Sequence, residues 1–296
     1  ARAQTAAGFA FLATAILLYG GLWPVMRMSV PYIPPFWFAT IRVFIGSMAL
    51  FAILAAGGRL RIPQRSDVPA VLSVGIFMMG LYAVLVHYAV QFVPAGRGAL
   101  LAYSTPIWVM PVAVLFLGEK LTKLRAVGLV CGLSGLIILF NPAAFDWADP
   151  HILLGNGLCI LAAISWSVAI LHMRSHKWNL TPLQLAPWQL LVATAVCLPF
   201  AFLLEPRTDL RVGVPLALLV AYGGVIGTAV AMWCVVSSIQ RIGAVTTSVG
   251  LLGGPVVALV TSVLFLGEAL TMTLASGLVL IISGIAMVSL AQARTG

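Results

Sequence analysis

Ten apolar runs of about 20 residues follow one another along this chain, and short polar segments separate them. An α-helix of about 20 residues is long enough to cross a hydrocarbon core of about 30 Å. Apolar residues make up 62% of the chain and charged residues 8%, which is outside the range of soluble globular proteins. Runs such as 70–90 lack the alternation of a membrane β-strand. The sequence therefore predicts an all-α membrane protein.

The predicted helices end at clusters of glycine, proline and charged residues, which are typical of loops. We number them spans 1 to 10, and they cover residues 5–26, 34–56, 69–92, 97–117, 124–140, 152–173, 182–204, 214–239, 244–266 and 273–291. No loop is long enough for a soluble domain, so we expect a single membrane domain. The chain has no Gly-x-x-x-x-Gly-Lys-Ser/Thr loop for ATP, and its four cysteines lack metal-ligand spacing. We expect no cofactor and no bound metal.

The basic residues lie mostly at the ends of the spans. With the N-terminus in the cytoplasm, eleven of them fall in cytoplasmic segments and four in outer loops. Because cytoplasmic loops carry the excess of Lys and Arg, we expect both termini in the cytoplasm, beneath a bacterial inner membrane. The net charge of +9 forms no continuous basic strip, so a nucleic-acid partner is not expected. The expected partners are the lipid bilayer and a small molecule, and a monomer is favoured.

The string VLFLGE occurs twice, at 114–119 and at 263–268, an offset of 149 residues. Compared at that offset from residue 87 to residue 139, the two segments share 17 identities in 53 positions. The chain is therefore an internal duplication of five spans, and we assign residues 1–141 to the first repeat and 152–291 to the second. Because five is an odd number, the second repeat enters the membrane from the opposite side, and the two repeats are inverted.

Glu119 and Glu268 end the two copies of the repeated string, and the inversion puts them at opposite mouths of the protein. All seven acidic residues lie in loops or at the ends of spans. A carboxylate that exchanges protons for substrate is expected within the membrane instead. We therefore expect the two glutamates to cap or clamp helix ends as gates, and we do not expect carboxylate-based proton antiport.

Two matching stretches carry a family resemblance. They read Gln91, Pro106, LFLGEKLT and GLVCGLSG in the first repeat, and Gln240, Pro255, LFLGEALT and SGLVLIISG in the second. In these motifs the whole chain resembles the drug/metabolite transporter superfamily, specifically its ten-helix EamA-type branch. The first half also resembles the YddG-type exporters of aromatic amino acids, in its residues Trp23, Tyr82, Tyr103 and Trp108. The resemblance implies an inner-membrane metabolite exporter with a central cavity lined by both halves.

Two ionisable residues lie inside the spans. Arg42 is the one Lys or Arg well within a span, and a short local alignment with the stretch LAPWQLLV gives Gln189 as its counterpart in the second repeat. A guanidinium at depth needs a partner or a wet cavity, and it binds a carboxylate through two parallel hydrogen bonds. The alternative is that the Arg42 side chain snorkels to the outer interface. His87 is a candidate proton carrier, since histidine titrates near neutral pH, or else a structural group of its helix.

Large aromatic residues in mid-span form the best candidate for a substrate site. Their N–H and O–H groups need hydrogen-bond partners or water, which a solvated cavity supplies. We expect the cavity to be lined by Trp23, Tyr82, Trp108 and Trp166. Tyr103 and Trp108 are about 140° apart on a regular helix, so at most one points fully inward, and depth favours Trp108. Trp188 is a further candidate for substrate binding.

Helix breakers interrupt spans 4 and 9 at equivalent positions. They are Pro106 and Pro111 in span 4, and Gly253, Gly254 and Pro255 in span 9. A proline inside a helix removes one hydrogen bond and kinks it, and the freed carbonyl is tolerated in a membrane mainly against protein or a wet cavity. We predict hinges or cavity walls at these positions. The alternative is a static kink that improves packing.

These observations favour a transporter that exports small amphipathic metabolites by alternating access between the inverted halves. The expected substrates are amino acids, and aromatic ones above all. Spans 3 and 4 would close one mouth, and spans 8 and 9 the other. A multidrug efflux transporter is the alternative. An intramembrane enzyme is less expected, because no paired aspartates lie at membrane depth, and we assign no catalytic residue.

Overall fold

The computed structural model describes residues 2–116, 122–140, 149–175, 179–205, 210–242, 247, 250–251 and 253–295. Within these residues the chain forms helices that turns and short loops connect. Glu119 lies outside the described residues, so its predicted gating role stays a prediction.

The helices follow the predicted spans closely. In chain order they are α1 (Arg2–Ser29), α2 (Pro35–Ala56), α3 (Val68–Ser73), α4 (Tyr82–Ala89), α5 (Ala95–Ala102), α6 (Thr105–Phe116), α7 (Lys123–Phe140), α8 (Pro150–Ser175), α9 (Pro182–Leu204), α10 (Val214–Ala221), α11 (Ala231–Ile242), α12 (Gly253–Leu266) and α13 (Met272–Thr295). Two π-helical segments complete the described helices: π1 (Val74–Leu81) joins α3 to α4, and π2 (Tyr222–Val230) joins α10 to α11.

The described helices fit the ten predicted spans. Six continuous helical stretches are long and apolar enough to span a membrane, and they correspond to spans 1, 2, 3, 6, 7 and 8. Three shorter apolar helices correspond to spans 5, 9 and 10. The pair α5 and α6 forms span 4. The prediction of an all-α membrane protein with ten helices is confirmed, while the cytoplasmic side of its termini stays a prediction.

Packing between the helices follows the inverted repeat. Equivalent spans pack against each other, since α2 contacts α9 and α7 contacts α13. The first span of each repeat packs instead on the third and fourth spans of the other repeat. Thus α1 contacts α11 and α12, while α8 contacts α4, α6 and π1. Each repeat therefore completes the other, which explains why the ten spans form one interlocked bundle.

The seam between α7 and α13 depends on glycine. A Cβ atom added to Gly284 would lie 2.5 Å from the carbonyl oxygen of Gly128 and 2.6 Å from the backbone nitrogen of Gly132. The backbones of the two helices are therefore in direct contact. Small residues permit this close approach in membranes, where dispersion forces rather than the hydrophobic effect hold helices together.

The two π-helical segments were not anticipated from the sequence. They occupy equivalent places in spans 3 and 8, and Gly75 in π1 corresponds to Gly224 in π2 at the offset of 149 residues. A Cβ atom on Gly75 would lie 2.8 Å from the carbonyl oxygen of Gln189, and one on Gly224 would lie 3.1 Å from that of Arg42. Gln189 and Arg42 are themselves counterparts. The same tight crossing is therefore built into both halves.

The glycine seam yields a stability prediction. We expect Gly284→Ala to lower the free energy of unfolding by about 1–3 kcal/mol, because its Cβ atom meets backbone that cannot rotate away. The measurement is the thermal unfolding midpoint of the purified protein in detergent. Gly157→Ala is the matched control, since a Cβ atom there meets nothing within 4 Å. Equal midpoints for the two variants would contradict the close approach of α7 and α13.

Candidate functional site

A cavity of about 400 Å³ lies between the two repeats. Spans 1 to 4 of the first repeat and spans 6 to 9 of the second contribute to its wall. The volume is within the range of sites that bind small molecules. A larger open groove of about 790 Å³ runs between α7 and α13, but its wall is mainly apolar and the Ser276 hydroxyl is bonded within its own helix. The central cavity is therefore the candidate site.

Six of the eight residues predicted to bind substrate line this cavity. They are Trp23, Arg42, Tyr82, His87, Tyr103 and Trp166. The rings of Tyr82 and Trp166 meet edge to face, with their centroids 4.8 Å apart. Because Trp166 belongs to the second repeat and Tyr82 to the first, this pair joins the halves across the site.

Trp108 and Trp188 do not line the cavity. The indole Nε1 of Trp108 donates to Oγ of Ser104 at 3.0 Å, and its ring packs on a core cluster behind the cavity wall. The indole Nε1 of Trp188 donates to the carbonyl oxygen of Arg61 at 3.0 Å. The preference for Trp108 over Tyr103 was wrong because α5 ends at Ala102 and α6 begins at Thr105. The turn between them interrupts the regular helical phase on which the preference depended.

The sequence reasoning also missed several residues of the wall. Tyr19 lies one turn before Trp23 on α1 and donates to the sulfur of Met232 at 3.8 Å. Thr228 lies in π2, and methionines such as Met78 add flexible apolar surface. The helical spacing to Trp23 was the signal that could have identified Tyr19. Thr228 could not be identified from the sequence, because π2 contains no proline that would have marked an irregular helix at this position.

Arg42 is buried beside the cavity. Its side chain is 8% exposed, so it does not snorkel to the interface. Its Nη1 donates to Oγ1 of Thr228 at 2.8 Å, and this hydroxyl in turn donates to the carbonyl oxygen of Gly223 at 2.7 Å. The Nε of Arg42 is buried without a hydrogen-bond partner among the described residues. The guanidinium is thus held in place and still has unused donor capacity.

His87 provides a second buried polar group. Its side chain is 2% exposed, and Nδ1 lies 2.7 Å from the carbonyl oxygen of Ala83. Because a carbonyl oxygen only accepts hydrogen bonds, Nδ1 is the donor in this contact. Nε2 has no partner among the described residues. The ring of Phe38 lies 5.7 Å from His87, and it also packs near Arg42 around Gly223.

Two glutamates bind the first turns of helices. The Glu268 carboxylate accepts hydrogen bonds from the backbone nitrogens of Ala95 at 2.6 Å and Gly96 at 3.1 Å, where α5 begins. The Glu205 carboxylate accepts from the backbone nitrogens of Phe36 at 3.0 Å and Trp37 at 3.2 Å, where α2 begins. Burial raises the pKa of Glu205, and these two hydrogen bonds act in the opposite direction. Negative charge at a helix N-terminus is also favoured by the helix dipole.

Four of the five predicted helix breakers lie at helix starts. Pro106 is the second residue of α6, and Pro255 is the third residue of α12, where a proline costs no helical hydrogen bond. Pro111 lies inside α6. A Cβ atom on Gly254 would lie 3.0 Å from the hydroxyl oxygen of Tyr103. The α5–α6 break, which contains Tyr103, therefore lies next to the start of α12 at the cavity wall. The role of these positions as hinges stays a prediction.

Inverted five-helix repeats around a central cavity are an architecture of secondary transporters. Comparison with known proteins agrees with this class. The sequence model of the EamA-like transporter family matches the chain twice, over residues 6–141 and 153–290. The chain therefore belongs to the EamA-like transporter family.

Relatives of the chain carry transporter names. The "Uncharacterized transporter YoaV" of Bacillus subtilis (strain 168) is 29% identical over 273 residues, which is 92% of each chain. The "Probable terminal-alkyne amino-acid exporter" of Streptantibioticus cattleyicolor is 24% identical over 259 residues, 87% of this chain and 84% of that protein. A solved crystal structure that is 24% identical superposes with a TM-score of 0.66 and covers 99% of this chain and 98% of its own. This last likeness concerns the fold.

The cap at Glu268 is testable. We expect Glu268→Ala to lower the free energy of unfolding by about 1 kcal/mol, because two backbone N–H groups at the start of α5 lose their acceptor. The measurement is again the thermal unfolding midpoint in detergent. Glu268→Gln keeps an acceptor oxygen and is expected to lose less. If the alanine and glutamine variants both unfold at the wild-type midpoint, the cap is energetically unimportant.

Proposed function

We propose that the protein exports small amphipathic metabolites, and that amino acids, aromatic ones above all, are its substrates. The observation that carries this proposal is the central cavity, where aromatic rings and one buried cation surround about 400 Å³. Broad apolar walls suit a ring or an aliphatic side chain. The polar corner formed by Arg42, Thr228 and His87 suits a charged head group.

The relatives support an amino-acid substrate. The Streptantibioticus relative, named as an exporter of a terminal-alkyne amino acid, aligns over 87% of this chain. An alkyne-bearing side chain and an aromatic one are both apolar, so each leaves the amino-acid head as the polar part. The apolar walls of the cavity suit the apolar body of such a solute, and the polar corner at Arg42, Thr228 and His87 suits its polar head.

Alternating access requires contacts that close each mouth in turn. At the mouth predicted to face outward, Nη1 of Arg27 donates to the carbonyl oxygens of Val90 and Gln91. At the same mouth Glu268 caps α5. These links join span 1 to span 3 and span 9 to span 4, and we propose that they break when this mouth opens. From the repeat, Glu119 is proposed to act at the opposite mouth.

We place the protein in a bacterial inner membrane with both termini in the cytoplasm, as the distribution of basic residues indicates. The repeat boundaries at 1–141 and 152–291 are supported by the two matches of the family model. The proposal includes no catalytic step and no cofactor. It also favours a monomer, since the cavity is formed within one chain.

Multidrug efflux is the second candidate function. The observation in its favour is the flexible methionine surface of the wall, to which Met26, Met78, Met79 and Met232 contribute. The two functions differ in selectivity. An exporter of amino acids discriminates by head group, whereas a drug exporter accepts apolar cations of varied shape.

The cavity predicts the effect of an aromatic substitution on transport. We expect Trp166→Ala to reduce phenylalanine flux at least about tenfold, because loss of the indole removes aromatic contact area and the partner ring of Tyr82. The measurement is uptake of radiolabelled phenylalanine, tryptophan, threonine and methylviologen into proteoliposomes, with and without an imposed pH gradient.

Trp233→Ala is the matched control for this experiment. Trp233 is 42% exposed, is absent from the cavity wall and meets the ring of Phe11 edge to face. Its removal is expected to leave flux near the wild-type value. Flux of methylviologen alone would contradict the amino-acid proposal and favour drug efflux. Equal flux in the Trp166→Ala and Trp233→Ala variants would contradict the assignment of the cavity as the substrate site.

A further inference from the structure

We infer that Arg42 and Thr228 form a carboxylate-binding site that selects solutes carrying a carboxylate over solutes whose head group is only cationic. The inference rests on the proposed function and adds to it the chemistry by which the solute is recognised. It is carried by a buried cation that has no counter-ion among the described residues, by a polar partner that fixes its orientation, and by the composition of the surrounding wall.

The cation lacks a counter-ion among the described residues. The side chain of Arg42 is buried, with 8% of its surface exposed. Its described hydrogen bond goes to the neutral hydroxyl of Thr228, and its Nε remains unpartnered. A buried charge is costly unless it is paired. The arrangement therefore favours one anionic group beside Arg42 at the cavity wall.

The four carboxylates that the structure describes are bound elsewhere. Glu268 and Glu205 accept backbone N–H groups at helix starts. Asp67 accepts the backbone nitrogens of Gln64 and Asn179, and Asp149 accepts that of His151. None of the four lines the cavity. The counter-ion of Arg42 is therefore expected to arrive with the solute.

The π-helical segment π2 positions the second group of the site. Oγ1 of Thr228 donates to the carbonyl oxygen of Gly223, five residues earlier, so its lone pair faces Nη1 of Arg42. A Cβ atom on Gly223 would lie 3.2 Å from the side chain of Arg42, which shows how closely the guanidinium stem packs on π2. The hydrogen bond through Nη1 leaves the buried Nε edge of the guanidinium without a described partner, and a guanidinium edge binds a carboxylate with two parallel hydrogen bonds.

The other half of the protein does not repeat this chemistry. Arg42 corresponds to Gln189, and at the offset of 149 residues Thr228 corresponds to Met79. The backbone crossing is the same in both halves, since Gly75 and Gly224 both make it. In the part of the cavity wall that the structure describes, Arg42 is thus the one Lys or Arg, which orients a bound solute with its carboxylate toward it.

The remaining wall explains why a purely cationic head group is rejected. Such a group would have to enter beside an uncompensated guanidinium, and no described carboxylate lines the cavity to offset the repulsion. The ammonium of a zwitterion is different, because its own carboxylate neutralises Arg42. The ring faces of Tyr82 and Trp166 then offer it cation–π contact.

The test compares two probes that share a phenyl ring and differ in the head group. Binding of 3-phenylpropionate and of phenethylamine to the purified protein in detergent is measured by calorimetry, and each probe is tested as a competitor of phenylalanine flux in proteoliposomes. We expect 3-phenylpropionate to bind at least about tenfold more tightly than phenethylamine, and Arg42→Gln to remove this preference. Thr228→Val is expected to weaken 3-phenylpropionate about threefold to tenfold, because it releases the guanidinium from its orientation.

Two further variants keep the result interpretable. Arg59→Gln removes one positive charge from an exposed loop position and is expected to bind both probes as the wild type does. Arg42→Lys keeps the charge without the planar fork and is expected to fall between wild type and Arg42→Gln. If Arg42→Gln fails to fold, Arg42→Lys and Thr228→Val supply the comparison. Equal binding of the two probes by the wild type overturns the inference, and so does a preference that survives in every folded variant at Arg42 and Thr228.

The outcomes also separate this inference from the proposed function. Arg42-dependent binding of 3-phenylpropionate without phenylalanine flux would support the carboxylate site and contradict amino-acid export. Phenylalanine flux without any preference between the two probes would support export and contradict the carboxylate site.

Discussion

Every backbone N–H and C=O group in a hydrocarbon core must find its partner within the protein, and the rest of this structure depends on that requirement. Regular helices meet it for most of the ten spans. The departures occur in spans 3, 4, 8 and 9, as π1, π2, the break between α5 and α6, and the start of α12 at Gly253. All four contribute residues to the central cavity. The irregular backbone is therefore concentrated where polar groups and a solvated space can satisfy it.

The backbone of the two halves is symmetric, but the side chains at the cavity are not. Gly75 and Gly224 make the same helix crossing, whereas the counterpart of Arg42 is Gln189 and that of His87 is Val236. The proposed alternating access requires two conformations of comparable energy, and the backbone crossing that both halves share supports that proposal. The proposed carboxylate site uses the asymmetric side chains to give a bound solute one orientation.

Most of the fold was predictable, because hydropathy and the repeated VLFLGE string determine the number and the inverted order of the spans. The site was predictable only where the helix is regular. Trp23 and Tyr82 line the cavity, as predicted from their depth in the spans. In span 4, however, the turn between Ala102 and Thr105 changes the helical phase, so that Tyr103 rather than Trp108 lines the cavity. Thr228 was missed because a π-helical segment depends on packing against a neighbouring helix, which the local sequence does not show.

We propose that one cavity opens alternately to the two sides of the membrane. Met26 and Ile170 line it near the C-terminal ends of α1 and α8, which the predicted inverted topology puts on opposite sides of the membrane. The most direct measurement is labelling of Met26→Cys and Ile170→Cys, in a background without the four native cysteines, by a membrane-impermeant thiol reagent added to either side of oriented proteoliposomes. Alternating access predicts that a transported amino acid raises labelling at one position and lowers it at the other. Labelling that rises at both positions together would indicate a channel and contradict the account.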